Sequence, residues 1–383
     1  MSKTVLAWCL YDLANTLFAM NITSYHFPVW VVSERGGQEL WYSLAFGLST
    51  AASALVMPRL GADSDRLLGR VRPMALCTIA CVILTGALGG VRSIWSALFI
   101  FAAANFFYQL AGVFYNAMLP HVSVSENMGR ISGYGVALGY VGTFIGIVAT
   151  APFAARWGRQ ATFLPTAILF FLLALPSFFI KEKRGSAERP ESRQDNVVLE
   201  KLRPLLPCSF LGLSVVGVAI LFMSVYAKQA VGLSDAELQT FLLVATGVTV
   251  AASLLWGRIT DRVGGARALG WAWALWVVVF GLAGLSLDKR LFIATGSLSG
   301  VALGGTWITS RVMLVEKVGR ERVGEAFGLF GLASRVAGVV GPLFWSGIIW
   351  AAAPLGPVRY QASMGVLFAC ALASWCMYRR LIK

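Results

Sequence analysis

The sequence predicts an all-α integral membrane protein of about 12 transmembrane helices in two pseudo-symmetric six-helix bundles. Of its 383 residues, 57% are hydrophobic and only 13% are charged, and the mean hydropathy is +0.72. A water-exposed surface cannot hide so many apolar side chains. The apolar runs are long enough to cross a bilayer, and two sequence patterns recur at nearly one offset, which indicates that the bundle is duplicated.

Continuous apolar runs, without polar alternation, favour helices over barrel strands. The first run contains Asp12, Asn15 and Asn21 and is too long for a signal peptide, so we interpret it as a span. We place the twelve spans near 5–30, 41–58, 73–91, 94–119, 132–155, 161–180, 205–227, 238–256, 268–287, 291–316, 325–350 and 358–378.

The net charge of +14 is distributed unevenly along the chain. With both termini in the cytoplasm, 22 of the 32 lysines and arginines fall on the cytoplasmic side and 8 on the other. This bias is the positive-inside rule and predicts a multi-pass protein of the bacterial inner (plasma) membrane with both termini cytoplasmic. The basic residues therefore indicate topology, and we expect no nucleic-acid partner.

The six cysteines all fall within predicted spans, where they act as small apolar side chains. They lack the histidines and carboxylates of a metal site. We expect no metal and no cofactor. The expected partners are a small-molecule substrate, membrane lipids and, as a candidate coupling ion, protons, and we expect a monomer.

A single long polar stretch divides the chain. It covers residues 181–203, KEKRGSAERPESRQDNVVLEKLR, and is rich in charge. We predict an N-terminal six-helix bundle at 1–180, a cytoplasmic linker at 181–203 and a C-terminal six-helix bundle at 204–383.

Two short patterns recur in the two predicted bundles. GADSDR at 61–66 matches GRITDR at 257–262 with an offset of 196, and GRISG at 129–133 matches GEAFG at 324–328 with an offset of 195. Each pair has the same place relative to its spans. The halves are therefore predicted to be parallel repeats related by an axis along the membrane normal.

Residues 61–70, GADSDRLLGR, and 257–267, GRITDRVGGAR, resemble the Gly-x-x-x-Asp-Arg-x-Gly-Arg signature of the major facilitator superfamily. The first copy has one extra residue before Gly69. The resemblance implies cytoplasmic gating loops that lock one conformation by pairing with each other and with helix ends; the alternative is a charged loop that only fixes topology. The loop residues are Gly61, Asp65, Arg66, Gly69, Arg70, Gly257, Asp261, Arg262 and Gly264.

Other segments resemble one branch of that superfamily. Residues 8–29, WCLYDLANTLFAMNITSYHFPV, are similar to the opening signature of the vacuole-effluxer-like branch, which includes a fungal autophagy-related amino-acid exporter. Residues 114–142 and 304–342 also look like that branch. The resemblance implies a fold and a transport role, and it carries no substrate.

Three charged residues lie well inside predicted spans: Asp12, Arg311 and Arg335. Each costs roughly 2.5–3.5 kcal/mol at a central position, so each needs a partner or water. The offset of 195 aligns Asn116 with Arg311 and Tyr140 with Arg335. We hypothesise that Asp12 faces one arginine in an ion pair that gates the cavity or is opened by an anionic or zwitterionic substrate; a static ion pair and a snorkelling Arg311 are the alternatives.

Polar and aromatic residues follow one face of spans 1 and 4, two of the four spans that the superfamily resemblance places around a central cavity. Asp12 is also the candidate for proton coupling. Interhelical hydrogen bonding without substrate contact is the alternative for each amide and tyrosine. The candidate cavity residues are Tyr11, Asp12, Asn15, Tyr25, Asn105, Tyr108, Gln109, Tyr115, Asn116, Arg311 and Arg335.

These patterns predict a secondary active transporter that moves a small amphipathic or zwitterionic, amino-acid-like solute by alternating access. The sequence contains two histidines and no grouping of nucleophile, base and orienting residue, so we expect no enzyme. It has no Walker loop either. A lipid or lysolipid translocase and a non-transporting membrane receptor remain as alternatives.

Overall fold

The computed structural model describes residues 1–65, 69–182, 197–285, 288–356 and 358–382. Within these ranges the chain is helical and contains no strand. Twelve helices of the described chain are long and apolar enough to cross a membrane. The predicted fold class is therefore confirmed.

We number these helices α1 to α12, so that each number is also the number of the span. Short helices at Leu119–Val122 and Val197–Leu202 lie between spans. The bounds are α1 Lys3–Glu34, α2 Glu39–Asp63, α3 Val71–Leu88, α4 Ile94–Ala117, α5 Met128–Trp157, α6 Arg159–Phe179, α7 Leu205–Gln229, α8 Asp235–Val263, α9 Gly265–Leu285, α10 Lys289–Val318, α11 Val323–Ala351 and α12 Val358–Leu381.

Helix α1 departs from the uniform helix that its hydropathy predicts. It is α-helical over Lys3–Phe18 and π-helical over Ala19–His26 and Trp30–Glu34. In the first π segment, the Asn21 amide donates hydrogen bonds to the Gly146 carbonyl at 3.0 Å and to Thr166 Oγ1 at 3.3 Å. The wider π turn therefore coincides with the place where interhelical hydrogen bonds satisfy the buried amide donor of Asn21.

The helices form two compact units. Unit 1 comprises Met1–Gln194 with Gly319–Gly331, and unit 2 comprises Asp195–Val318 with Leu332–Lys383. Helix α11 therefore begins in unit 1 and continues in unit 2.

Each unit uses equivalent helix pairs. In unit 1, α3 packs on α4, α2 on α4, α3 on α6 and α1 on α6. In unit 2, α9 packs on α10, α8 on α10, α9 on α12 and α7 on α12, which are the same pairs six helices later. The pairing is what a duplicated six-helix bundle requires.

Glycines allow the closest backbone approaches. In unit 1, a Cβ at Gly142 of α5 would overlap the carbonyl of Leu13 in α1. In unit 2, a Cβ at Gly341 of α11 would overlap the carbonyl of Ser214 in α7. Because lipid gives helices no hydrophobic drive to associate, such close van der Waals contact is a main source of their packing energy.

The signature residues were predicted to lie in loops, and this is wrong for four of the nine, Gly61, Gly257, Asp261 and Arg262. Helix α2 continues through Gly61 to Asp63, and α8 continues through Gly257, Asp261 and Arg262 to Val263. A helix that leaves the bilayer keeps its backbone hydrogen bonds, and charged side chains there meet no insertion cost. Hydropathy, which measures the apolar length alone, therefore ends these helices too early.

Gly142→Ala tests the packing of α1 against α5. Because the added methyl group meets backbone rather than a flexible side chain, we expect a loss of about 1–3 kcal/mol of stability. The matched control is Gly247→Ala in α8, where a Cβ meets nothing within 4 Å. Thermal unfolding in detergent micelles measures both variants. Equal melting temperatures for the two variants would contradict the close α1–α5 contact.

Candidate functional site

Three aromatic side chains of unit 1 form a closed stack between α1 and α4. The Tyr115 ring lies between Trp8, at 4.6 Å between ring centroids, and Tyr11, at 4.8 Å. The Trp8 indole N–H donates to the Tyr115 carbonyl at 3.2 Å, and the Tyr11 hydroxyl bonds to Thr78 Oγ1 of α3 at 2.8 Å. All three rings are fully buried within unit 1. Of the predicted cavity residues, Tyr11 and Tyr115 therefore lie in the interior of the bundle.

One turn further along α1, Asn15 and Tyr108 are brought together. The Asn15 amide donates to the Tyr108 hydroxyl at 3.3 Å, and the Tyr108 ring contacts Phe18 at 4.8 Å between centroids. Asn15 is half-buried, and its Oδ1 has no hydrogen-bond partner among the described residues. Asn116, which lies on α4 as Tyr108 does, likewise has an Oδ1 without a hydrogen-bond partner among the described residues. These are acceptors that a ligand bearing N–H or O–H groups can satisfy.

Asn105 of α4 bonds to another helix, and its Oδ1 has no hydrogen-bond partner among the described residues. Its amide donates to Ser49 Oγ at 2.8 Å and to Thr50 Oγ1 at 3.1 Å, both on α2. The side chain is fully buried. It therefore makes the interhelical hydrogen bond that the sequence left as an alternative to lining a cavity. Gln109, one turn on, is also buried in the described structure.

Tyr25 lies far along α1 from this polar face. It is 37% exposed, and the Arg159 guanidinium lies over its ring at 4.8 Å. Its other neighbour is the ring of His26, which is buried and contacts Thr150 Oγ1 at 3.0 Å. The structure therefore separates Tyr25 from the pair Asn15 and Tyr108.

The charged residues predicted inside the spans belong to different units. Asp12 is 5% exposed in unit 1, and its carboxylate lies against Gly135 of α5, where a Cβ would come within 2.9 Å of Oδ2. Arg311 of α10 and Arg335 of α11 are half-buried in unit 2. The ion pair between Asp12 and one of these arginines stays a prediction.

The first signature copy forms a compact cluster in unit 1. The carboxylate of Asp65, directly after α2, accepts hydrogen bonds from the backbone N–H groups of Gly324 and Glu325, each at 2.9 Å. These N–H groups lie in the first turn of α11, which has no acceptor for them within the helix itself and where the helix dipole also favours negative charge. A Cβ at Gly61 would overlap the carbonyl of Gly324, so only glycine permits this approach.

Arg70 lies at the centre of the cluster. Its guanidinium forms an ion pair with Asp65 and donates a hydrogen bond to His121 Nε2. The side chains of Arg70 and Asp65 are only 7% and 3% exposed. Separating such a buried pair would leave each charge without compensation in a low-dielectric environment. The two side chains are therefore held together. Arg66 of the signature lies outside the described residues.

Glu182, at the end of the N-terminal six spans, completes the cluster. Its carboxylate accepts from the backbone N–H of Arg70 and from that of Val71 at 2.6 Å, the first residue of α3. Gly69 makes the preceding turn with φ of +68°, a conformation that side chains disfavour. We call Asp65, Arg70, His121 and Glu182 the signature cluster.

The second copy, in unit 2, has the same turn. Gly264 has φ of +85°, and the backbone N–H groups of Gly265 and Ala266 donate to the carboxylate of Glu316 at 2.8 and 3.3 Å. Asp261 is half-buried and Arg262 is exposed, both in the last turn of α8. Glu316 comes from the end of α10.

Burial shifts the pKa values of two groups in the signature cluster, Asp65 and His121. It raises the pKa of Asp65, and the Arg70 guanidinium and the two N–H groups of α11 oppose that shift. Burial also lowers the pKa of His121 to about 4, and the positive charges of Arg70 and Arg320 act in the same direction. The imidazole is therefore neutral near pH 7 and can accept the hydrogen bond from Arg70.

Sequence reasoning missed His121, Glu182 and Glu316. The offset of 195 pairs His121 with Glu316, which was the available signal for those two. Glu182 has no such signal, because its repeat counterpart is Met377.

His121→Gln tests the neutral imidazole. As the pH falls from about 6.5 towards 4, the unfolded chain protonates His121 before the folded one does, so stability is lost in this window. Between pH 6.5 and 5 the loss from this residue should be about 1–2 kcal/mol, and the glutamine variant should lack that share. Unfolding at the two pH values measures the difference. An equal loss in both proteins would contradict the assignment.

Comparison with known proteins identifies the family. The model of the Major Facilitator Superfamily matches residues 13–248 and again residues 205–381. Solved structures with the same fold include the human organic anion transporter MFSD10 (TETRAN), with a TM-score of 0.77 and 16% identity over 98% of both chains. A bacterial homologue of the iron transporter ferroportin, in its outward-facing state, has a TM-score of 0.75 and 15% identity over 99% of both chains.

Sequence relatives are bacterial. An uncharacterized protein of Aquifex aeolicus is 27% identical over 89% of this chain and 88% of its own. The uncharacterized MFS-type transporter YxiO of Bacillus subtilis is 24% identical, with 88% and 86% covered. Multidrug resistance protein MdtG of Salmonella typhimurium is 24% identical, with 91% and 88% covered. With its twelve candidate spans, the chain is a multi-pass integral membrane protein that belongs to the Major Facilitator Superfamily, a family of transporters.

Proposed function

We propose that this protein is a secondary active transporter that moves a small amphipathic or zwitterionic organic solute by alternating access, acting as a monomer. The observation that carries the proposal is the capping of α11 by Asp65 within the signature cluster. We place this cluster on the cytoplasmic side, as the positive-inside rule predicts.

The cap has the properties of a latch. Asp65 satisfies two N–H groups of α11 only while the first turn of that helix lies against the end of α2. When the turn moves away, the carboxylate loses both donors and the helix N-terminus loses its charge partner. Such an interaction exists in one state of a two-state equilibrium, which is what alternating access requires.

The polar face of α1 and α4 favours a solute that is both polar and apolar. Asn15 and Asn116 present carbonyl acceptors, and the Tyr108 and Phe18 rings provide an apolar surface beside Asn15. Asp12 on the same helix as Asn15 can attract an ammonium group or carry a coupling proton. An amino acid has this chemistry.

A lysolipid is the second candidate solute. An apolar groove lies between α3 and α6 in unit 1, and its apolar lining has the chemistry of an acyl chain. The residues that line it are Val82, Ile83, Gly86, Leu164, Ala167, Ile168, Phe171 and Leu172. The amide acceptors of α1 and α4 lie on other helices, so they favour the smaller polar solute.

Counterflow in proteoliposomes tests the proposed function. We expect exchange of labelled amino acids above that of protein-free vesicles and no exchange of lysolipids. With Asp12→Asn, a transporter that couples protons through this carboxylate should lose pH-driven accumulation and keep exchange, because exchange needs no net proton movement. Unchanged pH-driven uptake in that variant would contradict proton coupling through Asp12. Binding without flux for every solute would favour a receptor.

Asp65→Asn tests the latch. The amide keeps the size of the side chain but loses the charge that pairs with Arg70 and the α11 dipole. We therefore expect the initial rate of solute exchange in proteoliposomes to fall about fivefold or more. The matched control is Asp288→Asn, because Asp288 accepts from the Leu291 N–H at 2.9 Å at an exposed helix start. Comparable activity of both variants, at equal reconstituted amounts, would count against the latch.

A further inference from the structure

The two signature turns receive their capping carboxylates from different parts of the chain. In unit 2 the acid is Glu316, which binds the N–H groups of Gly265 and Ala266. In unit 1 the acid is Glu182, which binds the N–H groups of Arg70 and Val71. In both units the capped residues begin the helix that follows the signature, so the carboxylate does the same work.

The repeat explains why the acids differ. The offset of 195 places His121 where unit 2 has Glu316, and a neutral imidazole there accepts from the Arg70 side chain. A neutral ring cannot supply a carboxylate to a helix N-terminus. Glu182 supplies the negative charge that position 121 lacks, and its own repeat counterpart, Met377, has no charge.

Glu182 also has a consequence beyond its own helix. Arg70 is held twice, since its backbone N–H donates to Glu182 and its guanidinium pairs with Asp65. Asp65 in turn caps Gly324 and Glu325. An unbroken series of polar contacts therefore joins Glu182 to the first turn of α11, although no described contact joins the two directly.

We propose that Glu182 is a positioning residue of the latch: by fixing the backbone of Arg70, it aims the guanidinium that holds Asp65 under the first turn of α11. Glu182 precedes the segment that connects the two units, so this role ties the start of the connection to the gate. The role of Glu182 in transport rests on the proposed function. The positioning of Arg70 and Asp65 by Glu182 rests on the contacts alone.

A simpler role for Glu182 would be that of a local cap on α3. The two roles differ in what happens at α11. A local cap protects only the amides of Arg70 and Val71, whereas a positioning residue also controls the protection of Gly324 and Glu325.

Amide hydrogen exchange of the full-length protein in lipid nanodiscs separates these roles. In Glu182→Gln we expect exchange at Arg70 and Val71 to accelerate about tenfold, because a charge-assisted acceptor is lost. Exchange at Gly324 and Glu325 should accelerate about threefold or more. Unchanged exchange at Gly324 and Glu325, with acceleration at Arg70 and Val71, would overturn the proposal.

Three further variants make the result specific. Glu316→Gln is the matched control, and it should accelerate exchange at Gly265 and Ala266 but leave Gly324 and Glu325 unchanged. Glu182→Asp retains the carboxylate and should keep most of the protection at α11. His121→Glu combined with Glu182→Gln returns an acid to the repeat position beside Arg70 and should restore protection at Gly324 and Glu325.

Hydrogen exchange does not depend on transport, so the two proposals fail separately. Coupled exchange in a protein without flux for any solute would reject the transport function and leave the positioning role. Flux with exchange changes confined to Arg70 and Val71 would do the reverse.

Discussion

The requirement that buried backbone donors find an acceptor governs the signature end of unit 1. The first turn of α11 has N–H groups without partners in its own helix, and Asp65 supplies a charge for two of them. A buried carboxylate needs a cation of its own, which is Arg70. Glu182 accepts from the backbone N–H of Arg70, and His121 accepts from one of its guanidinium donors. Each residue of the cluster thus bonds to a buried polar group of a residue named before it.

The duplicated bundle keeps the geometry of its turns and varies their chemistry. Gly69 and Gly264 adopt the same positive φ at equivalent places, because each turn must reverse the chain between two helices. The capping acids come from Glu182 in one unit and from Glu316 in the other. Sequence symmetry therefore predicts the backbone better than it predicts which side chain fills a given role.

Polar residues within the helices differ in how many of their polar atoms find a hydrogen-bond partner. The Asn105 amide N–H and the Tyr11 hydroxyl form hydrogen bonds with neighbouring helices. These bonds allow an apolar environment to accommodate both groups. Asn15, Asn105 and Asn116 each retain a buried Oδ1 without a described donor. Since an unsatisfied acceptor is costly in a low-dielectric interior, each of these positions gains from a hydrogen-bond donor such as water.

The sequence by itself determined the twelve apolar spans, the internal repeat and the place of the signature residues after the second and eighth spans, because apolar length and a repeated motif are local properties of the chain. Only the tertiary structure decided that α2 and α8 continue past their apolar lengths, that α1 turns π-helical at Ala19–His26, and that Asn105 bonds to α2. It also decided that Glu182 reaches the turn at Arg70. These outcomes depend on donors and acceptors that lie far apart in the chain, and no local pattern records which of them will meet.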